Sequence, residues 1–455
     1  MATISQIAGL FKGGSVNRRI LRAAASVTAV GLLVKVVGTF KEIAVAGVYG
    51  RSDSMDAFLA AALIPSLLIN LISESMNQAL VPTLIRVKEH EGREKAQELF
   101  SSSMLWLCVL LVAASLMMAA AARGFFPLIA SHFAPAKLDL AIHIFYALLP
   151  VVLITGIATN CTAVLNTLDR FALPALAPIV ISVAIILGAL LLGNRLGIWA
   201  MVYAMLAGSL VHAAIVAWMM DAHGYRFQLR WYGMTEAAHE VVRQYGPVLL
   251  SSVVASGGLL VDQAMAAMLP AGSVSALVYA NRFVSVVLTL LAGAVSTAVV
   301  PYFSKMIAHR DWAGWQHTMR TWAWLTMLVS APIAVLLIVG AHLLIQVTLQ
   351  HGAFGAGDTA VVTKVLAMFA IQIPFVVCGR VFYRFIVAMR RTDLIFYCGA
   401  INLVLDVVLN LILMRRYGVA GIALATSLWT VSTFLFLWYW SRRLLSDASR
   451  GEAAA

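Results

Sequence analysis

Twelve apolar stretches, each near the 20 residues that a helix needs to cross a bilayer core, dominate this 455-residue chain. They begin near residues 24, 56, 101, 140, 171, 196, 245, 274, 319, 360, 394 and 418, and charged or Pro/Gly-rich breaks separate them. Lipid offers no hydrogen bonds, so the backbone of such stretches must pair within its own helix. The sequence therefore reads as an all-α integral membrane protein. Composition supports this, because with 62% hydrophobic and 11% charged residues there is too little polar surface to clothe a soluble protein of this length.

The chain carries 32 Lys and Arg against 20 Asp and Glu, a net charge of +12, and the placement of the bases is what informs. An even number of spans puts both termini on one face. Twenty bases lie in the terminal segments and the loops at 85–100, 166–170, 222–244, 303–320 and 388–393, whereas the opposite loops hold six. Positive loops stay inside, so both termini are assigned to the cytoplasm and the bases are not a nucleic-acid footprint. Cys108, Cys161, Cys378 and Cys398 sit in apolar stretches without metal-binding spacing. No Walker A, HExxH or GxSxG pattern occurs, which disfavours ATP-driven pumping by this chain alone; a transporter rather than an enzyme is expected, with no cofactor.

A faint repeat divides the chain. Ala79-Leu80-Val81-Pro82 recurs as Ala298-Val299-Val300-Pro301, and Pro150 with Asp169 recurs as Pro374 with Asp393. Six spans separate the copies, so two six-helix lobes related by a pseudo-two-fold along the membrane normal are predicted. The boundaries drawn are a lead at 1–23, lobes at 24–221 and 245–440, a linker at 222–244 and a tail at 441–455. The substrate path is expected between the lobes.

Ionisable groups at bilayer depth cost about 2.5–3.5 kcal/mol each on insertion scales, so each should face water or a partner. Lys35 and Glu42 share one face of the first span, two turns apart, and Lys41 points away from it. Lys41 reads equally as a snorkelling residue. In the eighth span Arg282 calls for an anion or phosphate, the other reading being an ion pair with Glu74 or Asp56. Asp56 also suits the N-cap of its own helix. Arg384 and Lys364 can snorkel, and Arg380 stays open. A second group is acidic: Asp262 in the seventh span, and Asn402 with Asp406 one turn apart in the eleventh. Unpaired carboxylates there either protonate or hold a cation, coupling transport to Na+ or H+, or else form an interhelical hydrogen-bonded cluster.

Several segments resemble the MurJ/MviN family, the lipid II flippases of the multidrug/oligosaccharidyl-lipid/polysaccharide exporter superfamily. They include Asp56-Ala57-Phe58 through Ile64-Pro65-Ser66-Leu67-Leu68, Glu74, Gln78-Ala79 and Val81-Pro82; Leu165-Asn166-Thr167, Arg170-Phe171 and Pro174; Gly272-Ser273-Val274-Ser275 and Tyr279-Ala280-Asn281-Arg282; and His351-Gly352-Ala353-Phe354 with Asp358-Thr359. The resemblance implies a flippase of the bacterial inner membrane. It would carry an undecaprenyl-pyrophosphate-linked cell-envelope sugar precursor, lipid II-like and serving peptidoglycan synthesis, to the outer leaflet by alternating access. Lys35, Lys41 and Arg282 then match the family's cavity arginines, with Asp56, Ser275 and Glu74 as further substrate-site residues. Asp262, Asn402, Asp406 and Thr426 match a sodium site of some members. One family arginine falls at Ile69 and two become lysine, which loses bidentate phosphate contact and keeps a lipid-linked exopolysaccharide or O-antigen unit open as substrate. Family members commonly add two helices beyond the twelve read here. A cation-coupled drug antiporter is the remaining alternative, disfavoured by the deep bases.

Overall fold

The computed structural model describes residues 15–168, 172–308, 312–389 and 391–453. The lead before residue 15, and Asp169, Arg170 and Phe171 of the repeat and motif, lie outside them. Among the described residues the chain forms twelve helices and no strand: α1 Ser15–Tyr49, α2 Asp53–His90, α3 Arg93–Ile129, α4 Pro135–Asn166, α5 Ala172–Leu196, α6 Trp199–Ala222, α7 Glu236–Ala267, α8 Ser273–Ala308, α9 Trp312–Leu349, α10 Ala356–Val387, α11 Thr392–Tyr417 and α12 Val419–Ala453. Eleven, from α2 onward, are long and apolar enough to cross a membrane, and α1 has the length to do so with 35 residues. Large apolar side chains such as Leu116, Leu191, Trp218, Leu336 and Val347 are exposed, as helix surfaces facing lipid require.

We call proximal the face on which α1 begins and α12 ends, and distal the face of the α1–α2 and α7–α8 turns. The helices form two six-helix lobes, α1–α6 and α7–α12, in the pseudo-two-fold arrangement. Two seams join them, α1 against α8 and α2 against α7. Exchanging the lobes turns one seam into the other. The larger apolar core runs from the distal half of the first lobe through the second, and a smaller one fills the proximal half of the first lobe with the start of α7. The lobes therefore share one core distally, and proximally they meet where α7 packs on α2 and α3. Within α2, residues Ile69–Glu74 form a π-helical turn, a feature that recurs at functional sites because it rotates side chains out of the regular register.

Glycine makes the distal closure possible. Gly272 (φ 81°) and Gly352 (φ 60°) sit in left-handed turns that L side chains rarely adopt. A Cβ at Gly352 would also run into the Gly47 carbonyl. In its absence Ala353 donates its N–H to that carbonyl at 2.7 Å.

Candidate functional site

Arg282 lies nine residues into α8, about 14 Å along its axis at 1.5 Å per residue. Its guanidinium rests in a notch on α1: a Cβ on Gly38 would overlap it. Gly38 is one turn from Lys35, and Arg282 is near enough to Lys35 for the two charges to repel. The α1–α8 seam thus brings together two of the cations singled out in the sequence. Neither forms an ion pair among the described residues, and Arg282 Nε is buried without a hydrogen-bond partner. Holding like charges together away from water is unfavourable unless an anion visits. Lys41 differs, its Nζ lying 2.8 Å from Oε1 of the adjacent, buried Glu42.

Asp56 is buried and caps the opposite lobe rather than its own helix, where Ser52 accepts the Met55 N–H at 3.3 Å. Asp56 Oδ2 accepts the Gly272 N–H at 2.6 Å and Oδ1 the Ser275 N–H at 2.9 Å, at the N-terminus of α8. An anion there is favoured by the four unpaired N–H groups of a helix start and by its dipole. Lys137 joins, 3.3 Å from Asp56 and 2.6 Å from Asp53. Ser275 is buried and spends its hydroxyl on the Gly272 carbonyl at 3.2 Å. Arg51 donates through Nε to the same carbonyl at 2.8 Å and lies 3.2 Å from Asp358, while Tyr279 donates to the Gly50 carbonyl at 3.0 Å. Asp56 and Ser275 thus belong to an interlobe latch on the distal face. They do not open on the space beside Arg282.

Glu74 ends the π turn, is exposed and makes no hydrogen bond or ion pair among the described residues. It belongs to a stripe that the sequence reading did not isolate. Ser66, Asn70, Glu74 and Gln78 recur every fourth residue along α2, all exposed. Four polar side chains in line at bilayer depth call for water or a polar ligand beside them rather than lipid. The signal was available in the sequence as polar residues at helical spacing within an apolar stretch. Arg380 is likewise exposed, about three-quarters of the way along α10.

The acidic group assembles between α7, α11 and α12. Asp262 and Asp406 are buried and close enough to interact directly. Asn410 donates through Nδ2 to Asp262 Oδ1 at 2.8 Å and to Asp406 Oδ1 at 3.1 Å, and Thr426 donates to Asp262 Oδ2 at 3.0 Å. Asn402 stands outside, donating to Thr433 Oγ1 at 2.7 Å. Asn402 and Asn410 are both four residues from Asp406, so spacing alone does not choose between them. Asp406 Oδ2 and Asn410 Oδ1 are buried with no hydrogen-bond partner, oxygens free to meet a cation. No group of three or more His, Cys, Asp or Glu gathers among the described residues.

The family model described as "Lipid II flippase MurJ" matches residues 45–452, nearly the whole chain. The chain belongs to the MurJ family. Its relatives in that family include a probable lipid II flippase MurJ of Synechocystis, 24% identical over 97% of this chain and 85% of the relative. The lipid II flippase MurJ of Burkholderia cenocepacia is 28% identical over 77% of this chain and 70% of the relative. Among solved structures the fold is similar to a lipid II flippase MurJ in an inward closed conformation, with TM-score 0.79, 24% identity and coverage of 91% and 86%. It is equally similar in fold to an inward-facing multidrug resistance MATE family transporter, with TM-score 0.79 at 13% identity and coverage of 94% and 99%. The fold alone does not separate the two substrate classes, so the substrate of this MurJ-family chain must be argued from its side chains.

Proposed function

We propose that this protein is a flippase that carries lipid II, an undecaprenyl-diphosphate-linked saccharide, across the bacterial inner membrane. The observation that carries the reading beyond family membership is the unpaired Lys35/Arg282 pair held in the α1–α8 seam. A diphosphate neutralises both charges, and its attraction offsets the cost of holding them at bilayer depth. The hydroxyl and amide groups of Ser66, Asn70 and Gln78 are suited to a hydrated sugar. We assign the proximal face to the cytoplasm from the charge bias of its loops. With the distal latch closed, the head group enters from the inner leaflet; opening the latch while the proximal seam closes delivers it outside.

The cluster of Asp262, Asp406, Asn410 and Thr426 supplies the coupling in this scheme. Two buried carboxylates are costly to keep ionised, so the cluster takes up a sodium ion or a proton, and its charge state biases α7 against α11 and α12. The membrane potential adds about 2.3 kcal/mol per 100 mV for each charge that crosses it. The replacement of bidentate arginines by Lys35 and Lys41 favours a second reading, a lipid-linked exopolysaccharide unit as substrate. The test is a vesicle assay offering lipid II and an unrelated undecaprenyl-diphospho-oligosaccharide in parallel. Lipid II should be transported by the parent and not by Arg282→Ala at equal protein level; transport of the oligosaccharide alone selects the second reading, and transport of neither removes both.

A further inference from the structure

The chain between α6 and α7, residues 223–235, does not loop free but lies along α3. A Cβ on Gly224 would overlap the Arg93 guanidinium, and Tyr225 is buried beneath that group, with Arg93 Cζ 5.3 Å from the ring centre. Gln97 Nε2 donates to the Arg226 carbonyl at 2.8 Å and Gln97 Oε1 accepts the Arg226 N–H at 3.0 Å, the double exchange that pairs neighbouring strands. Farther along, Ser102 Oγ accepts the Tyr232 N–H at 3.2 Å, and Trp231 meets Trp106 edge-on at 5.6 Å. The lengths agree. From Arg93 to Trp106 α3 rises about 20 Å at 1.5 Å per residue, and six extended steps from Tyr225 to Trp231 span about 20 Å at 3.3 Å each. The segment is drawn out straight and pinned at both ends.

Beyond Tyr232 the pins stop. Thr235 is already the N-cap of α7 and accepts the Ala238 N–H at 3.2 Å, while Ala237, Ala238 and Val241 are buried in the proximal core and Glu240 reaches Arg86. The chain left between the lobes is thus Gly233 and Met234. Three residue steps at full extension keep the start of α7 within about 11 Å of Tyr232. Gly233 has φ 89° and nothing lies within 4 Å of where a Cβ would stand, so backbone conformation and not crowding calls for glycine there. A hollow of about 150 Å³, lined by Arg86, Glu91, Ser102, Tyr232, Thr235 and Glu236, gives the first turn of α7 room to move.

We propose that residues 224–232 are a strap belonging to the first lobe, and that Gly233 and Met234 form the pivot on which α7 and the second lobe turn. The inference takes from the reading above the rocking of the lobes and not the substrate. A helix of 32 residues is about 48 Å long, so tilting α7 by about 10° at the pivot carries its far end about 8 Å. That end leads into the turn where Asp56 holds Gly272. A small rotation at the strap is therefore a large displacement at the latch, and the proximal contacts of α7 with α2 persist while the distal closure opens.

The experiment inserts the sequence Gly-Ser-Gly-Ser into the full-length protein at either of two places, after Gln228 within the strap or after Gly233 at the pivot. A linker acting as a plain spacer is lengthened equally by both. With the strap pinned on either side, the first insertion should bulge outward and change lipid II transport less than twofold, whereas the second should lower it at least fivefold. Spin labels on Asp139→Cys and Arg416→Cys, exposed sites at the distal ends of α4 and α11, report the motion in nanodiscs without substrate. Only the second insertion should broaden their distance distribution. In a separate variant, Gln97→Cys with Arg226→Cys, a short reducible bis-thiol reagent fixes the strap to α3 while the four native cysteines stay buried, and transport should match the parent's. Equal effects of the two insertions, or transport that the cross-link stops and reduction restores, overturn the pivot. A parent that moves no lipid II overturns the flippase reading instead, and the distance distributions then decide the pivot by themselves.

Discussion

The two seams between the lobes are equivalent by the internal symmetry and opposite in character. In the α2–α7 seam the helices meet through ordinary satisfied contacts: Ser75 donates to Ser252 at 2.9 Å, and Arg86 meets Glu240 at 2.6 Å near the proximal end. In the α1–α8 seam the corresponding space holds a guanidinium with a buried, unpartnered nitrogen, a nearby lysine and a groove. One seam is a joint and the other is a site. A symmetric fold gains function by leaving one of two equivalent interfaces unsatisfied, because an unsatisfied charge is what a ligand can complete.

That contrast can be broken from either side. The largest effect is expected from Gly38→Ala. The added methyl displaces only the end of a flexible side chain, so protein yield should hold while transport falls by tenfold or more; a fully active variant would show that the position of the guanidinium is immaterial. Asp56→Asn comes next. It weakens two charge-assisted hydrogen bonds to the start of α8, each worth about 1.5–3 kcal/mol, and should shift the population toward the distally open form by tenfold or more. Alkylation of a single cysteine introduced beside the latch would report this, and unchanged labelling would remove Asp56 from the gate. Asp406→Asn should flatten the sodium and pH dependence of transport with the fold intact; a variant that keeps the parent's dependence would mean the acidic cluster is structural. The smallest effect belongs to the joint. Glu240→Gln breaks an ion pair that is partly exposed, typically worth about 0.2–1 kcal/mol, so transport should change less than about fivefold. A larger loss would mean that the α2–α7 seam is a site as well.

Much of this was legible in the amino-acid order. Span lengths and the breaks between them gave the twelve helices, since backbone pairing in lipid is a local requirement. Lys35 and Arg282 stood out because their cost is also local, set by depth alone. What crosses between lobes was not legible. Asp56 looked like a cap and is one, but for a helix more than 200 residues away. Asn410 and Asn402 are indistinguishable by spacing, and only the approach of α7 and α12 decides which amide meets the carboxylates. The stripe on α2 was present in the sequence, but which way it faces depends on where the second lobe stands.

The distal closure contains a contact between two peptide groups, the Ala353 N–H and the Gly47 carbonyl. Every residue except proline carries both groups. Such a clasp is therefore nearly indifferent to which side chains surround it. Side chains around the distal closure can therefore change while the clasp keeps its fit, so long as the close approach of Gly47 and Gly352 is preserved.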